Sequence, residues 1–284
     1  KISVGSAVEP ETWNPFLSEQ MAVQEVGRLL FAGLLLQTDK GEWIPDLAAV
    51  VPTTENGGIS GDGLTVTYRL KPNLKWQDGQ SLSARDVQFT FDFIMHNRGR
   101  VAWREGYEKI QSIAAPDDST VVIRLSEPYA YVYHLFPNVL PRHRSADFSD
   151  LQTQNFNRLP VGSGPFVLKE WRRGDALVFA PNPLYHQGKP LLEALTYKFV
   201  TDRQIVLSQL KIGEVDIVNN IGFDQLDQVR AVTGVNTFIT PGAIWEHLDF
   251  NLDLPLFADL RVRQAIALSL DRRELLERTL KNGA

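Results

Sequence analysis

The sequence predicts an α/β fold, and three stretches carry that reading. Residues 64–95 hold a strand, a tight turn and a capped amphipathic helix in one continuous run. Residues 166–180 read as two strands around a turn, and residues 202–218 as a helix, a glycine and a strand. Apolar spacing that switches between a period of 2 and a period near 3.6 within such short runs marks sheets and helices packed in layers.

In chain order, residues 2–7 read as a strand, followed by Pro10 and the loop Trp13-Asn14-Pro15. Residues 20–36 suit a helix. Pro52, Asn56-Gly57-Gly58 and Gly61-Asp62-Gly63 make residues 51–63 loop and hairpin chemistry. Leu64, Val66, Tyr68 and Leu70 then alternate with Thr65, Thr67, Arg69 and Lys71, the pattern of a half-buried strand. Asp78-Gly79 supplies a turn in which glycine takes positive φ. Ser83, with Asp86 three residues on, forms a variant capping box at a helix start. Val87, Phe91, Ile94 and Met95 fall on one face of that helix, which Phe89 and Phe93 widen.

Thr120–Leu125 is a second clear strand, and residues 137–158 are turn-rich with no assigned element. Gly162-Ser163-Gly164-Pro165-Phe166 superficially resembles a phosphate loop. It lacks a third glycine and a Lys-Ser/Thr pair and leads into a strand, so it reads as a sharp turn. Residues 166–171 and 175–180 form a hairpin about Arg172-Arg173-Gly174. Asp202 caps a helix carrying Ile205, Val206 and Leu210, Gly213 ends it in a left-handed residue, and residues 215–218 are a short strand. A longer strand is expected over 244–251, with Trp245, His247, Asp249 and Asn251 on one face. Two helices follow, the second opened by Asp271 with Glu274.

With 284 residues the chain can bury a sizeable core in one large or two ordinary domains. A net charge of −5 leaves no basic excess to neutralise phosphates, which argues against nucleic acid and anionic membranes as partners. The absence of cysteine excludes disulfides, thiolate metal sites and a cysteine nucleophile, without choosing a compartment. No apolar run approaches the ~20 residues that span a bilayer. Lys1-Ile2-Ser3-Val4 already reads as strand, so the chain is expected to begin after a removed targeting segment. The five histidines form no HExxH or HxH pair, and no GxSxG elbow, Walker loop or EF-hand loop occurs. No cofactor and no metal site is expected. Two of the many carboxylates could still flank a glycosidic bond, so a secreted hydrolase such as a glycoside hydrolase stands as the alternative of a different class.

The string Lys75-Trp76-Gln77-Asp78-Gly79 ahead of Ala84-Arg85-Asp86-Val87 resembles the signature region of the extracellular solute-binding proteins of family 5 (cluster C), which serve peptide, nickel and related ABC importers. Gly162–Phe166 is similar to that family's Gly-Thr-Gly-Pro-Phe/Tyr motif, with Ser163 for threonine. Asn182-Pro183-Leu184-Tyr185 follows at the family's usual distance, and Gly213-Glu214-Val215-Asp216-Ile217 before Asn219-Asn220 is again family-like. The phrase from Phe250-Asn251 through Arg261-Val262-Arg263-Gln264-Ala265 resembles the passage where family chains cross from the first lobe to the second.

The resemblance implies a periplasmic-binding-protein-like type II fold: lobe one with an inserted subdomain, plus only the start of lobe two. Residues 1–44 and 163–250 would be the lobe-one core, 45–162 the inserted subdomain, and 251–284 the hinge and the beginning of lobe two. Family members continue well beyond this point, so the expectation is a truncated chain with half a cleft. The implied function is non-enzymatic capture of short peptides outside the cytoplasm, in the periplasm or at the cell surface, and delivery to the permease of an ABC importer. A nickel or other metal chelate is the alternative ligand within the family. By resemblance, the ligand-binding positions are Gln20, Met21 and Ala22; Trp103 and Arg104; Asn220; and Trp245, His247 and Asp249. Met21 and the Asn-Arg…Ala-Trp match around Asn97-Arg98 and Ala102-Trp103 are what favour the chelate.

Overall fold

The computed structural model describes residues 1–144, 160–219, 221–239 and 247–279. Its main sheet has the order β10-β1-β9-β8-β7. In it, β1 (Ile2–Ser6) runs parallel to β9 (Leu195–Phe199) and to β10 (Ile217–Val218). The hairpin of β7 (Phe166–Arg172) and β8 (Ala176–Pro181) extends it antiparallel through β9. A second antiparallel sheet has the order β4-β6-β5, from Thr65–Arg69, Thr120–Leu125 and Ile110–Ala114. Its register puts Val66 opposite Ile123 and Tyr68 opposite Val121, all four buried on the face the alternation selects.

The helix α2 (Ala84–His96) packs on that face. Ser83 and Asp86 form the full capping box, and Val87, Phe93 and Ile94 are wholly buried, each contributing about 1.5–3 kcal/mol by leaving water. Phe91 and Met95 are only half-buried, so the buried face centres on Asp86, Thr90, Phe93 and Asn97 rather than on the expected row. Asp86 is buried by design of the cap: it accepts from Ser83 N and Arg142 N, yet burial still pushes its carboxyl up.

The expected helix over 20–36 is shorter. Here α1 covers Met21–Leu30. Phe31 turns extended, and Leu35–Gln37 (β2) pairs antiparallel with Trp43–Pro45 (β3). The cause is a crowded crossing. A Cβ on Gly33 would lie 2.4 Å from the carbonyl oxygen of Pro137, and Leu34 N donates to Phe136 O at 3.0 Å. The chain at 136–142 acts as a strap over this crossing. Phe136 N donates to the Tyr107 hydroxyl, Val139 N to Ala32 O, and Leu140 N to Thr90 Oγ1.

Gly162-Ser163-Gly164 folds onto the end of α1. A Cβ at Gly162 would sit 1.7 Å from Leu30 O, and Gly164 N donates to that same oxygen at 2.9 Å. Wholly buried Asn182 closes the junction by donating from Nδ2 to Gly164 O. One continuous core therefore runs from Val4 and Phe179 of the main sheet through Leu30 and Trp76 to Ile123 of the second sheet.

Downstream, α3 (Arg203–Lys211) is capped by Asp202, which accepts from Gln204 N and Ile205 N, and Gly213 follows at φ +73°. With α4 (Leu226–Arg230), it forms a smaller core of Val206, Leu207, Leu210, Val215 and Val229. The expected strand over 215–218 shrinks to Ile217–Val218 because Val215 is drawn into this core. The strand expected over 244–251 is not formed in its described part, 247–251, where no ladder partner lies alongside. The last helices are α5 (Pro255–Ala258), α6 (Leu260–Ser269) and α7 (Arg272–Thr279); Glu274 N donates to Asp271 at the start of α7. Leu256, Leu260 and Leu268 on α5 and α6 are exposed.

Candidate ligand-binding face

The first wall of the site is the loop before α1. Asn14 Oδ1 accepts from Phe16 N, and Gln24 Nε2 donates to the carbonyls of Pro15 and Ser18. Gln20 N donates to Ser18 Oγ, and Gln20 Oε1 accepts from Glu11 N at 3.2 Å. These bonds leave Gln20 half-buried and Met21, the first helical residue, 48% exposed. Ala22, next to it, is buried at 8%.

The second wall is the connection from α2 to β5. Asn97 donates to Phe93 O from both its backbone N and its Nδ2, which ends the helix and turns the chain. Ala102 N then donates to Phe16 O at 2.8 Å and fastens this connection to the loop before α1. Trp103 follows with 61% of its surface exposed, unusual for a tryptophan. Between the walls lies a cavity of about 570 Å³, lined chiefly by Glu19, Met95, Arg98, Trp103, Arg104 and Glu105.

Trp103 and Arg104 thus line one cavity with Glu19, whereas Gln20 and Met21, next to Glu19 in the chain, are not among its lining residues. His247 and Asp249 do not line this cavity; they are exposed and paired with each other at 3.0 Å. Asn220 and Trp245 lie outside the described residues. Glu19, Met95, Arg98, Glu105 and Glu108 line the cavity without being among the ligand-binding positions expected from the sequence. The density of charge around the lone Trp103, from Arg98 to Glu108, is the signal that points to them.

Two other polar clusters are structural in geometry. His186 Nε2 lies 2.8 Å from Asp46 Oδ1, both side chains nearly inaccessible, and Asp46 Oδ2 accepts from Gly33 N. Burial, with Asp46 nearby, pushes the Tyr185 hydroxyl up to about 12. His143 Nε2 lies 2.7 Å from Asp78 Oδ2 beside the ring of Trp76.

Residues 42–284 match the family described as bacterial extracellular solute-binding proteins, family 5 Middle. Over 98% of its length the chain is 27% identical to the oligopeptide-binding protein AppA of Bacillus subtilis, covering 51% of that protein. The solved structure of NikZ from Campylobacter jejuni in complex with Ni(L-His) superposes with a TM-score of 0.87 at 27% identity, over 99% of this chain and 55% of that one. AppA from Bacillus subtilis in complex with a nonapeptide superposes with a TM-score of 0.81 at 26% identity, over 99% of this chain and 56% of that one. The chain spans about half the length of the curated relatives it matches. Among the described residues, no helix is long and apolar enough to cross a membrane. The architecture is the α/β type II periplasmic-binding-protein fold, and the chain belongs to the family 5 bacterial extracellular solute-binding proteins.

Proposed function

We propose that the protein is the extracytoplasmic substrate-binding component of an ABC importer, capturing short peptides and delivering them unchanged to the membrane permease. The observation that carries this reading is the exposed Trp103 on the wall of a cavity that Met95 also lines, in a family 5 chain. An aromatic and apolar surface with a few convergent polar groups is what a small-ligand cleft requires. Closure of a second lobe would complete the desolvation of that surface. We assign residues 1–44 and 163–250 to the lobe-one core, 45–162 to a subdomain inserted in it, and 251–284 to the hinge and the beginning of lobe two. The crossing at Gly33, Pro137 and Gly162 supports the first division, because it is where the two sheets share their core. The peptide reading draws on AppA, an oligopeptide-binding protein solved with a nonapeptide.

One observation favours a nickel or other metal chelate instead. Met21 is 48% exposed two residues after Glu19, which lines the cavity, and the chain superposes well on NikZ, solved with Ni(L-His). Native mass spectrometry of the protein from its own host, followed by identification of the released molecules, separates the readings. A ladder of short peptides is expected. A single metal-containing mass would select the chelate, and a chemically altered product released in multiple turnovers would select a hydrolase.

A further inference from the structure

The loop between β1 and α1 is pinned from a distance. Glu9 Oε1 accepts from the indole Nε1 of Trp171 at 2.7 Å, and Glu9 Oε2 accepts from Gly174 N at 3.0 Å. Both carboxylate oxygens are therefore engaged by the β7–β8 hairpin. Gly174 presents its N–H there because it turns the hairpin at φ +71°, a left-handed conformation that glycine adopts freely. The Trp171 ring is held on two sides. Buried Trp13 meets it edge-on with the centroids 4.7 Å apart, and the guanidinium of Arg173 stacks 4.0 Å from its centre. From Glu9 the loop leads inward: residues 12–16 and 18 are buried although they belong to no helix or strand. Its far end reaches the cavity twice. Phe16 O accepts from the N–H of Ala102, a lining residue, and Glu19 lines the cavity itself.

We propose that Glu9 and Trp171 are positioning residues for ligand binding. Neither lines the cavity; together they hold the loop so that Glu19 and Ala102 stand in their bound positions before a ligand arrives. This rests on the solute-binding reading above and adds to it a control point outside the cavity. Hydrogen bonds from N–H groups to an ionised carboxylate are about twice as strong as neutral ones, and two of them converge on Glu9. A loop ordered in advance spares the ligand the cost of ordering it. If the hold is released, the fraction of molecules ready to bind falls, and the apparent affinity falls in the same proportion.

The test is a double-mutant cycle read in affinity, by titration calorimetry of the full-length protein with trialanine and with nickel–histidine. Glu9→Gln sets an amide NH2 against one of the two N–H donors. Trp171→Phe removes the indole donor but keeps an aromatic ring against Trp13 and Arg173. In the double variant the glutamine oxygen can accept from Gly174 N with no indole N–H opposing its NH2, so the two losses are not independent. Asp202→Ala, which uncaps α3 beside the smaller core, is the control that lowers stability away from the loop. With whichever probe binds the wild type, each single variant is expected to bind about fivefold more weakly or worse. The double variant should bind no more weakly than Glu9→Gln, and Asp202→Ala should keep wild-type affinity. Deuterium exchange over residues 10–23 of the unliganded protein should be faster in Glu9→Gln. Wild-type affinity in either single variant, losses that simply multiply in the double variant, or an equal loss in Asp202→Ala overturns the proposal and leaves the solute-binding reading standing. Binding of neither probe to the wild type overturns that reading for peptides and nickel chelates, and the proposal with it.

Discussion

Gln77 and Gly162 bind each other twice across 85 residues of sequence: Gln77 N donates to Gly162 O at 2.9 Å, and Gly162 N donates to Gln77 Oε1 at 3.1 Å. The Gln77 amide then donates from Nε2 to Phe166 O at 2.6 Å. One side chain therefore joins the Lys75–Gly79 turn to the Gly162–Phe166 turn, at the point where the end of α1 meets both. Replacing Gln77 by alanine orphans the Gly162 N–H and the Phe166 carbonyl. The expected cost is about 1–3 kcal/mol in denaturant unfolding. Gly162→Ala is expected to be more damaging, since its Cβ has no room beside Leu30 O. A Gly162→Ala protein as stable as the wild type would mean that this junction is looser than its geometry implies.

The strap over the crossing depends on Tyr107. Its buried hydroxyl accepts from Phe136 N at 2.7 Å, and its ring meets that of Phe136 edge-on. Phe136 itself sits at φ +58°, a conformation that a bulky side chain adopts only when its surroundings impose it. Tyr107→Phe keeps the packing and removes the acceptor, so a loss of about 1–3 kcal/mol is expected. Unchanged stability would show that the strap is held elsewhere.

Acid should weaken the turn that carries Asp78. Burial pushes its carboxyl up, but hydrogen bonds from His143 and from Gln80 N outweigh this and hold it below the ordinary value. A carboxyl that gives up its proton more readily in the fold stabilises the protein above its unfolded pKa of about 3.9, and that contribution fades as pH falls through the lower folded value. The stability gap between wild type and Asp78→Asn should therefore be constant near neutrality and close below pH ~4. A gap that widens in acid would reverse the sign of this assignment.

Met21 is expected to matter for binding and little for folding. At 48% exposure its truncation to alanine should change stability by no more than about 0.5 kcal/mol. Ligand affinity should fall severalfold, since Met21 is a proposed ligand-binding position and stands exposed two residues after Glu19 of the cavity wall. Calorimetry of Met21→Ala with the ligand found in the native protein checks both halves.

Local signals were legible in the sequence wherever an element is specified by its own residues. Ser83 with Asp86, the alternation at Val66 and Tyr68, and Asp202 with Gly213 all act within a few positions. The end of α1 was not, because apolar residues continue to Leu36 and what stops the helix is the backbone of Pro137 and Gly162, more than a hundred residues away. Of the strand expected over 244–251, the described part 247–251 is not strand for a related reason: alternation marks a strand only where a neighbour completes the ladder, and among the described residues none does. At the candidate site, Trp103 stood out because no periodic pattern placed it in the core. Arg98 and Glu19 did not, because a charged residue on a loop looks like any solvated surface until Ala102 and Phe16 fix the two loops against each other.

The central claim is that Trp103 is a wall of the ligand site, and tryptophan fluorescence tests it most directly. Trp13 and Trp76 are buried and supply a steady background, whereas Trp103 is open to solvent. Wild type and Trp103→Phe would be titrated with the ligand identified from the native protein. An emission change is expected in the wild type that Trp103→Phe clearly diminishes, with affinity reduced about tenfold. The same emission change and the same affinity in both proteins would place the ligand elsewhere and contradict it.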